Sequence, residues 1–217
     1  MTGDLFAGDA PLAGRVTTLG PEALILRGFA LARVPLLWEA LQQVLTQAPL
    51  RHMVTPGGQR MSVPLTNCGA LGWTSDRGGY RYRGDDPLSG RAWPAMPAAF
   101  AQLAREAAAA AGFAGYAPDA CLINCYRPGA RLTLHQDRNE RDFSQPIVSV
   151  SLGIAATFLW GGAERGDRAA RVPLFHGDVA VWGGVDRLRF HGIAPVREAH
   201  HPLTGGTRIN FTFRRAG

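Results

Sequence analysis

The sequence predicts an α+β protein built around a double sheet of jelly-roll type. Helical spacing is confined to two early stretches, and about eight short strands bounded by Gly and Pro fill the rest. No repeat and no linker interrupts this order. At 217 residues the chain is long enough to bury one full core as a single domain.

Taken in order, residues 1–20 are rich in Gly, Ala and Thr and are expected to be loosely ordered, and Glu22 to Phe29 reads as a short strand. Pro35 opens a helix whose Leu37, Ala40, Leu41, Val44, Leu45 and Ala48 follow helical spacing, and Pro49 ends it. Residues 51–93, dense in Gly, Pro and aromatics, predict short strands and exposed loops. A second helix starts near Pro97, with Phe100, Leu103, Ala104, Ala107 and Ala111 on one face and Gly112 as its stop. Strands are then expected over 120–126, 131–137, 146–153, 156–161, 171–175, 178–182, 187–192 and 207–214.

The net charge of +6 favours polyanionic partners. Every basic residue is Arg, however, and such a bias reflects codon composition as readily as phosphate binding. Cys68, Cys121 and Cys125 are too few for a disulfide framework and read as reduced, buried thiols. No apolar run approaches the ~20 residues of a membrane helix, and the N-terminus lacks the pattern of a secretory signal. The expectation is a soluble, cytoplasmic protein.

Chemistry concentrates in two segments. In Arg131-Leu-Thr-Leu-His-Gln-Asp137 polar and apolar residues alternate, so a strand would put Arg131, Thr133, His135 and Asp137 on one face. Two His and one carboxylate can bind one face of an iron(II) ion and leave the other open, and His191 is the candidate third ligand. A second H-x-D, His176-Gly177-Asp178, reads as a turn before the strand that begins at Val179. In Arg208-Ile-Asn-Phe-Thr-Phe-Arg214, Arg, Asn, Thr and Arg share one face and the apolar residues the other. Six residues of strand separate the arginines by roughly 20 Å. Side chains reaching about 6 Å could converge to about 7–8 Å, the span of a five-carbon dicarboxylate. Taken alone, the same pattern also fits an edge strand with solvated arginines.

These residues belong to a longer collinear set: Met53-Val-Thr-Pro-Gly-Gly58, Thr66-Asn-Cys-Gly69, Leu71-Gly-Trp-Thr74, Asp119-Ala-Cys-Leu-Ile-Asn124, Leu134-His-Gln-Asp137, Val179-Ala-Val-Trp-Gly-Gly184 and the arginine strand. Together they resemble the iron(II)- and 2-oxoglutarate-dependent dioxygenases, and within them the enzymes that directly reverse alkylation of nucleic acid. The resemblance implies a double-stranded β-helix core over about 119–217, preceded over about 1–118 by an N-terminal extension with a nucleotide-recognition lid. It implies Fe(II) held by His135, Asp137 and His191 as the catalytic centre, with O₂ and 2-oxoglutarate as co-substrates. Asn124, Tyr126, Arg208, Asn210 and Arg214 would line the 2-oxoglutarate pocket.

Trp73 and Tyr80 would hold the target nucleotide, with Arg81, Tyr82, Asn139 and Arg165 beside it and His135 stacked on the far side of the base. The implied reaction is oxidative demethylation of 1-methyladenine- and 3-methylcytosine-type lesions, releasing formaldehyde. The substrate would be single-stranded or base-flipped DNA, or RNA, since an N-methyl group inside a duplex is out of reach. A monomer is expected.

One position departs from the pattern. Asn139 stands where an acidic residue would accept a bond from the base's exocyclic amine. Asn keeps an acceptor and loses the charge, which predicts weaker catalysis or a shift toward neutral lesions. Two rival readings are an enzyme of the same chemistry acting on tRNA or another non-DNA substrate, and an inactive nucleic-acid-binding module.

Overall fold

Alternation of apolar and polar residues along the late strands sorts this chain into layers. The computed structural model describes residues 13–217. Its strands are β1 (Val16–Gly20), β2 (Ala23–Leu26), β3 (Leu65–Gly69), β4 (Gly72–Asp76), β5 (Gly79–Arg83), β6 (Ala120–Tyr126), β7 (Leu132–His135), β8 (Ile147–Gly153), β9 (Ala156–Trp160), β10 (Ala170–Leu174), β11 (Val179–Trp182), β12 (His191–Ile193) and β13 (Arg208–Arg214). Seven form one sheet in the order β1-β2-β11-β8-β13-β6-β3, four form a second in the order β10-β9-β12-β7, and β4-β5 is a separate hairpin. The fold is the expected α+β double sheet.

Helices α1 (Val34–Gln47) and α2 (Ala98–Ala110) cover the outer face of the larger sheet. Leu37, Leu41 and Val44 of α1 and Phe100, Leu103 and Ala107 of α2 pack there with Val148, Val150, Ile123, Phe211 and Phe213. Burying that many apolar side chains at about 25 cal/mol per Å² makes this layer a main source of stability. The inner face of the same sheet meets the smaller one, where Ile25, Ile147, Ala180 and Trp182 pack with Phe158, Trp160, Leu174 and Ile193.

Three elements depart from expectation. Residues 16–20 form a strand because Val16, Thr17 and Thr18 pair with Leu26, Ile25 and Leu24; residues 1–12 lie outside the described part. The stretch 187–192 is strand only from His191, since Asp186 is buried and accepts hydrogen bonds from Glu22 N and Arg189 Nε, which hold a turn. The strand expected to reach Asp137 stops at His135. Among the described residues no helix is long and apolar enough to cross a membrane.

The second H-x-D is structural. Gly177 turns at φ 83°, a conformation that favours glycine. Asp178 Oδ2 pairs with Arg27 Nη1 at 2.6 Å, and Oδ1 accepts from Gly28 N at 2.9 Å, with both side chains buried. Asp178→Ala would leave the Arg27 charge buried without its carboxylate. The expected loss is about 3–5 kcal/mol of unfolding free energy, measured in urea; a loss under about 1 kcal/mol would show the pair to be dispensable.

Candidate metal and co-substrate site

The smaller sheet sets two imidazoles side by side. His191 opens β12 and is registered opposite His135 at the end of β7. Gly192 permits the approach, because a Cβ there would lie 2.5 Å from the Leu132 carbonyl oxygen. The ring centroids are 4.5 Å apart. His135 Nδ1 lies 2.9 Å from Thr133 O, and His191 Nδ1 lies 3.0 Å from Arg189 O. A carbonyl only accepts, so each Nδ1 carries the proton and each Nε2 presents a lone pair.

Both lone pairs face Asp137, which projects from just beyond β7. His135 Nε2 is 3.6 Å from its Oδ1 and His191 Nε2 is 3.8 Å from its Oδ2. One ligand-type atom from each residue fits within a 4.8 Å cluster, and no other such group of three occurs among the described residues. Burial, with His135 beside it, pushes the His191 imidazole down to about 4, so it stays a neutral donor. Burial alone would raise the Asp137 carboxyl, but the Arg214 guanidinium reverses this and holds it well below the usual carboxylate range. The donor set, two imidazoles and one carboxylate on one side of an open cavity, fits iron(II).

Arg214 donates to Asp137 Oδ2 through Nε at 2.9 Å and Nη2 at 2.7 Å. The two-ended clamp expected from strand spacing is therefore not built symmetrically. Arg214 is engaged with a metal-ligand candidate, whereas Arg208 is open: Nη2 donates to Ser151 Oγ at 2.9 Å, and the buried Nε and Nη1 have no hydrogen-bond partner among the described residues. The guanidinium lies over the Tyr126 ring at 5.0 Å. All seven residues of β13 are buried, because β13 is flanked by β8 and β6, and the solvated-edge alternative fails. Asn210 donates to Ser149 Oγ and Val150 O, both at 2.9 Å, and its register partner Asn124 faces the same space. A buried guanidinium with two nitrogens left to donate, walled by Tyr126, Asn124 and Asn210, is suited to a carboxylate.

A cavity of about 600 Å³ joins these groups and opens past Trp73, Tyr80, Asn139 and Arg165. Trp73 and Tyr80 stack at 5.5 Å with 16° between planes. Arg165 donates to Leu134 O at 2.9 Å and lies over the Phe190 ring. Two of the sequence candidates are placed elsewhere. Arg81 lies on the other face of the hairpin, paired with Asp76, and Tyr82 turns inward to donate to Glu140 Oε1 at 2.6 Å.

Glu140 and Arg187 carry weight that the sequence did not disclose. Glu140 is buried and meets Arg187 Nη2 at 3.1 Å and Arg214 Nε at 3.4 Å. Arg187 Nη1 also donates to the Asp137 carbonyl at 3.1 Å. Trp182 was missed too; its ring meets His191 edge-on at 4.9 Å. The only cue to Glu140 was its place three residues after Asp137; Arg187 sits in what read as a strand.

The family model described as 2OG-Fe(II) oxygenase superfamily matches residues 23–214. The α-ketoglutarate-dependent dioxygenase AlkB of Salmonella typhimurium is 54% identical over 213 residues, covering 98% of this chain and 97% of that protein. The DNA N(6)-methyladenine demethylase ALKBH1C of Arabidopsis thaliana is 39% identical over 110 residues, covering 45% of this chain and 24% of that protein. The solved structure of OsALKBH1 superposes with a TM-score of 0.78 at 27% identity, over 92% of this chain and 99% of that one.

Two outcomes follow from the charges around the site. Glu140→Gln leaves two buried guanidinium groups facing one carboxylate, and is expected to weaken anaerobic Fe(II) binding by about 10–100-fold; unchanged affinity would exclude a positioning role. His191 has a folded pKa near 4, below its ordinary 6.5, so the unfolded chain binds a proton that the fold refuses as pH falls through that window. The metal-free protein should lose about 3 kcal/mol between pH 7 and 4 through this group. His176 is also pushed down to about 4, so the measurement compares urea unfolding of the wild type with His191→Gln, whose pH slope should be shallower.

Proposed function

Because the chain belongs to the 2OG-Fe(II) oxygenase superfamily and joins an open His-Asp-His face to a stacked aromatic mouth, we propose that it demethylates N-alkylated bases in nucleic acid. Lesions of the 1-methyladenine and 3-methylcytosine type in DNA, or in RNA, are its substrate class, and formaldehyde is the product. The single observation carrying this reading is the shared cavity, with metal ligands on one wall, the Arg208 guanidinium at depth and the Trp73–Tyr80 pair at the mouth.

Iron(II), when bound with O₂ and 2-oxoglutarate, supplies hydroxylation of the N-alkyl carbon coupled to decarboxylation of 2-oxoglutarate to succinate and CO₂, after which the hydroxylated group leaves as formaldehyde. His135, Asp137 and His191 hold the metal through Nε2, a carboxylate oxygen and Nε2. Arg208 binds a carboxylate of 2-oxoglutarate through Nε and Nη1, with Asn124, Tyr126 and Asn210 shaping the pocket around it. Arg214 keeps Asp137 ionised and aimed, and its charge borders the same pocket. At the mouth Trp73 and Tyr80 stack on the base, with His135, the more exposed imidazole, on the other side. Arg165 lines the cavity and meets the nucleotide at its mouth, and Arg81, on the other face of the hairpin and paired with Asp76, would reach only the strand outside it.

A base can enter only from a single strand or after flipping out, at a cost of a few kcal/mol that is smallest for lesions that cannot pair. The protein acts as a monomer in this reading, and in the cytoplasm, a reducing compartment that suits three buried free thiols.

Formaldehyde should appear from methylated single-stranded oligonucleotides, and not from unmodified ones or when iron or 2-oxoglutarate is omitted. Arg208→Met should raise the KM for 2-oxoglutarate about 10–100-fold, the worth of charged hydrogen bonds, with far less effect on oligonucleotide binding. An unchanged KM would remove Arg208 from the co-substrate site. Release from methylated tRNA alone would favour the rival substrate.

A further inference from the structure

One short turn touches both ligand-bearing segments from behind. It leads from the single helical turn Gly184–Asp186 to His191, and successive residues in it reach the metal-ligand candidates. Arg187 Nη1 donates to the Asp137 carbonyl at 3.1 Å. The Leu188 carbonyl accepts from the Gln136 side-chain amide, and Gln136 separates His135 from Asp137. The Arg189 carbonyl accepts from His191 Nδ1 at 3.0 Å. Residues 187–189 belong to no strand, so a ladder does not set their path.

Asp186 sets it instead. Its side chain is fully buried, and a carboxylate taken out of water must be met by donors. Oδ2 accepts from Glu22 N at 2.8 Å, which ties the turn to the entrance of β2. Oδ1 accepts from Arg189 Nε at 2.5 Å, and Arg189 Nη1 continues to the Gly161 carbonyl at 3.2 Å. Glu22 adds two bonds of its own, accepting from Gly183 N at its carbonyl and from Val185 N at Oε2. Gly20 leaves the room for this, since a Cβ there would lie 2.4 Å from Asp186 Oδ2. Neither Asp186 nor Arg189 lines the cavity, so any effect they have on the reaction passes through the ligands.

We propose that Asp186, with Arg189 as its partner, is a positioning residue of the metal centre, fixing the turn from which His191 and the His135–Asp137 segment are aimed. The inference rests on the metal reading of the site given above. The bond made by one imidazole nitrogen fixes the tautomer and the ring direction that the other nitrogen offers to a metal. If the turn is released, the Arg189 carbonyl leaves His191 Nδ1. The ring can then rotate, and its proton can settle on Nε2, where it blocks the metal.

The test uses the full chain, titrated anaerobically with Co(II) in place of Fe(II), because the visible absorption of Co(II) reports ligand geometry. Asp186→Asn sets an amide N–H against one of two donors, Glu22 N–H or Arg189 Nε–H. Arg189→Met removes the partner at a side chain that is 34% exposed, where folding is less at risk. Both variants should weaken Co(II) binding about tenfold, as loss of a group that orients a metal ligand does, and should shift the absorption band. In the metal-free proteins, ring-nitrogen NMR shifts should show His191 protonated at Nδ1 in wild type and a mixture of tautomers in the variants. Asp178→Asn, in the other buried aspartate–arginine pair, is the comparator. It should lose stability in urea while Co(II) affinity, absorption and tautomer stay as in wild type.

Affinity and absorption unchanged in both variants, or changed as much by Asp178→Asn, overturn the inference while the metal reading stands. A wild type that binds no Co(II) overturns that reading and the inference with it.

Discussion

A carboxylate removed from water stays ionised only if a cation goes with it, and here that pair is Asp137 with Arg214. Both side chains are buried, and the contact uses two nitrogens on one oxygen, Oδ2. Oδ1 is left toward His135. One interaction thus sets the charge of the metal-ligand candidate and its rotation together. It also ties the two sheets to each other, since Arg214 belongs to the larger sheet and Asp137 follows a strand of the smaller. Glu140 and Arg187 complete the group as two carboxylates and two guanidiniums, a balanced set in which removing any one member strands another. Arg suits both cationic places because its planar fork reaches several acceptors from one buried position.

What the sequence made legible was the face on which each side chain lies. Along β13, Ile209, Phe211 and Phe213 go to the helices while Arg208, Asn210, Thr212 and Arg214 go to the cavity, as period-2 alternation dictates. The same rule separated Cys121, Ile123 and Cys125 from Asn124 and Tyr126. Partner choice was not legible, because it depends on what another strand brings within reach. The two arginines of β13 look equivalent in sequence, yet one meets a carboxylate from beyond β7 and the other a serine hydroxyl and the Tyr126 ring. Arg187 was hidden for a related reason: the turn held by Asp186 directs its guanidinium inward, and no periodicity marks a side chain that leaves a turn for the interior.

The mouth depends on the same short segment as the metal ligands. Between His135 and Glu140, His135 and Asp137 face the metal position, Asn139 holds Trp73, and Glu140 holds Tyr82. Two adjacent residues therefore fasten two aromatics of the β4-β5 hairpin, which belongs to neither main sheet. The hairpin is held between side-chain hydrogen bonds to this segment on one side and those from Asn67 of β3 on the other, rather than by a continuous sheet. That arrangement makes the Trp73–Tyr80 wall and the His135–Asp137 geometry parts of one mechanical unit. The side chain at position 139 therefore does more than line the cavity, because it also holds the Trp73 ring that stands at the mouth. Placement of the aromatic mouth and of the His135–Asp137 pair is consequently one problem in this fold, with the indole N–H of Trp73 as a shared constraint.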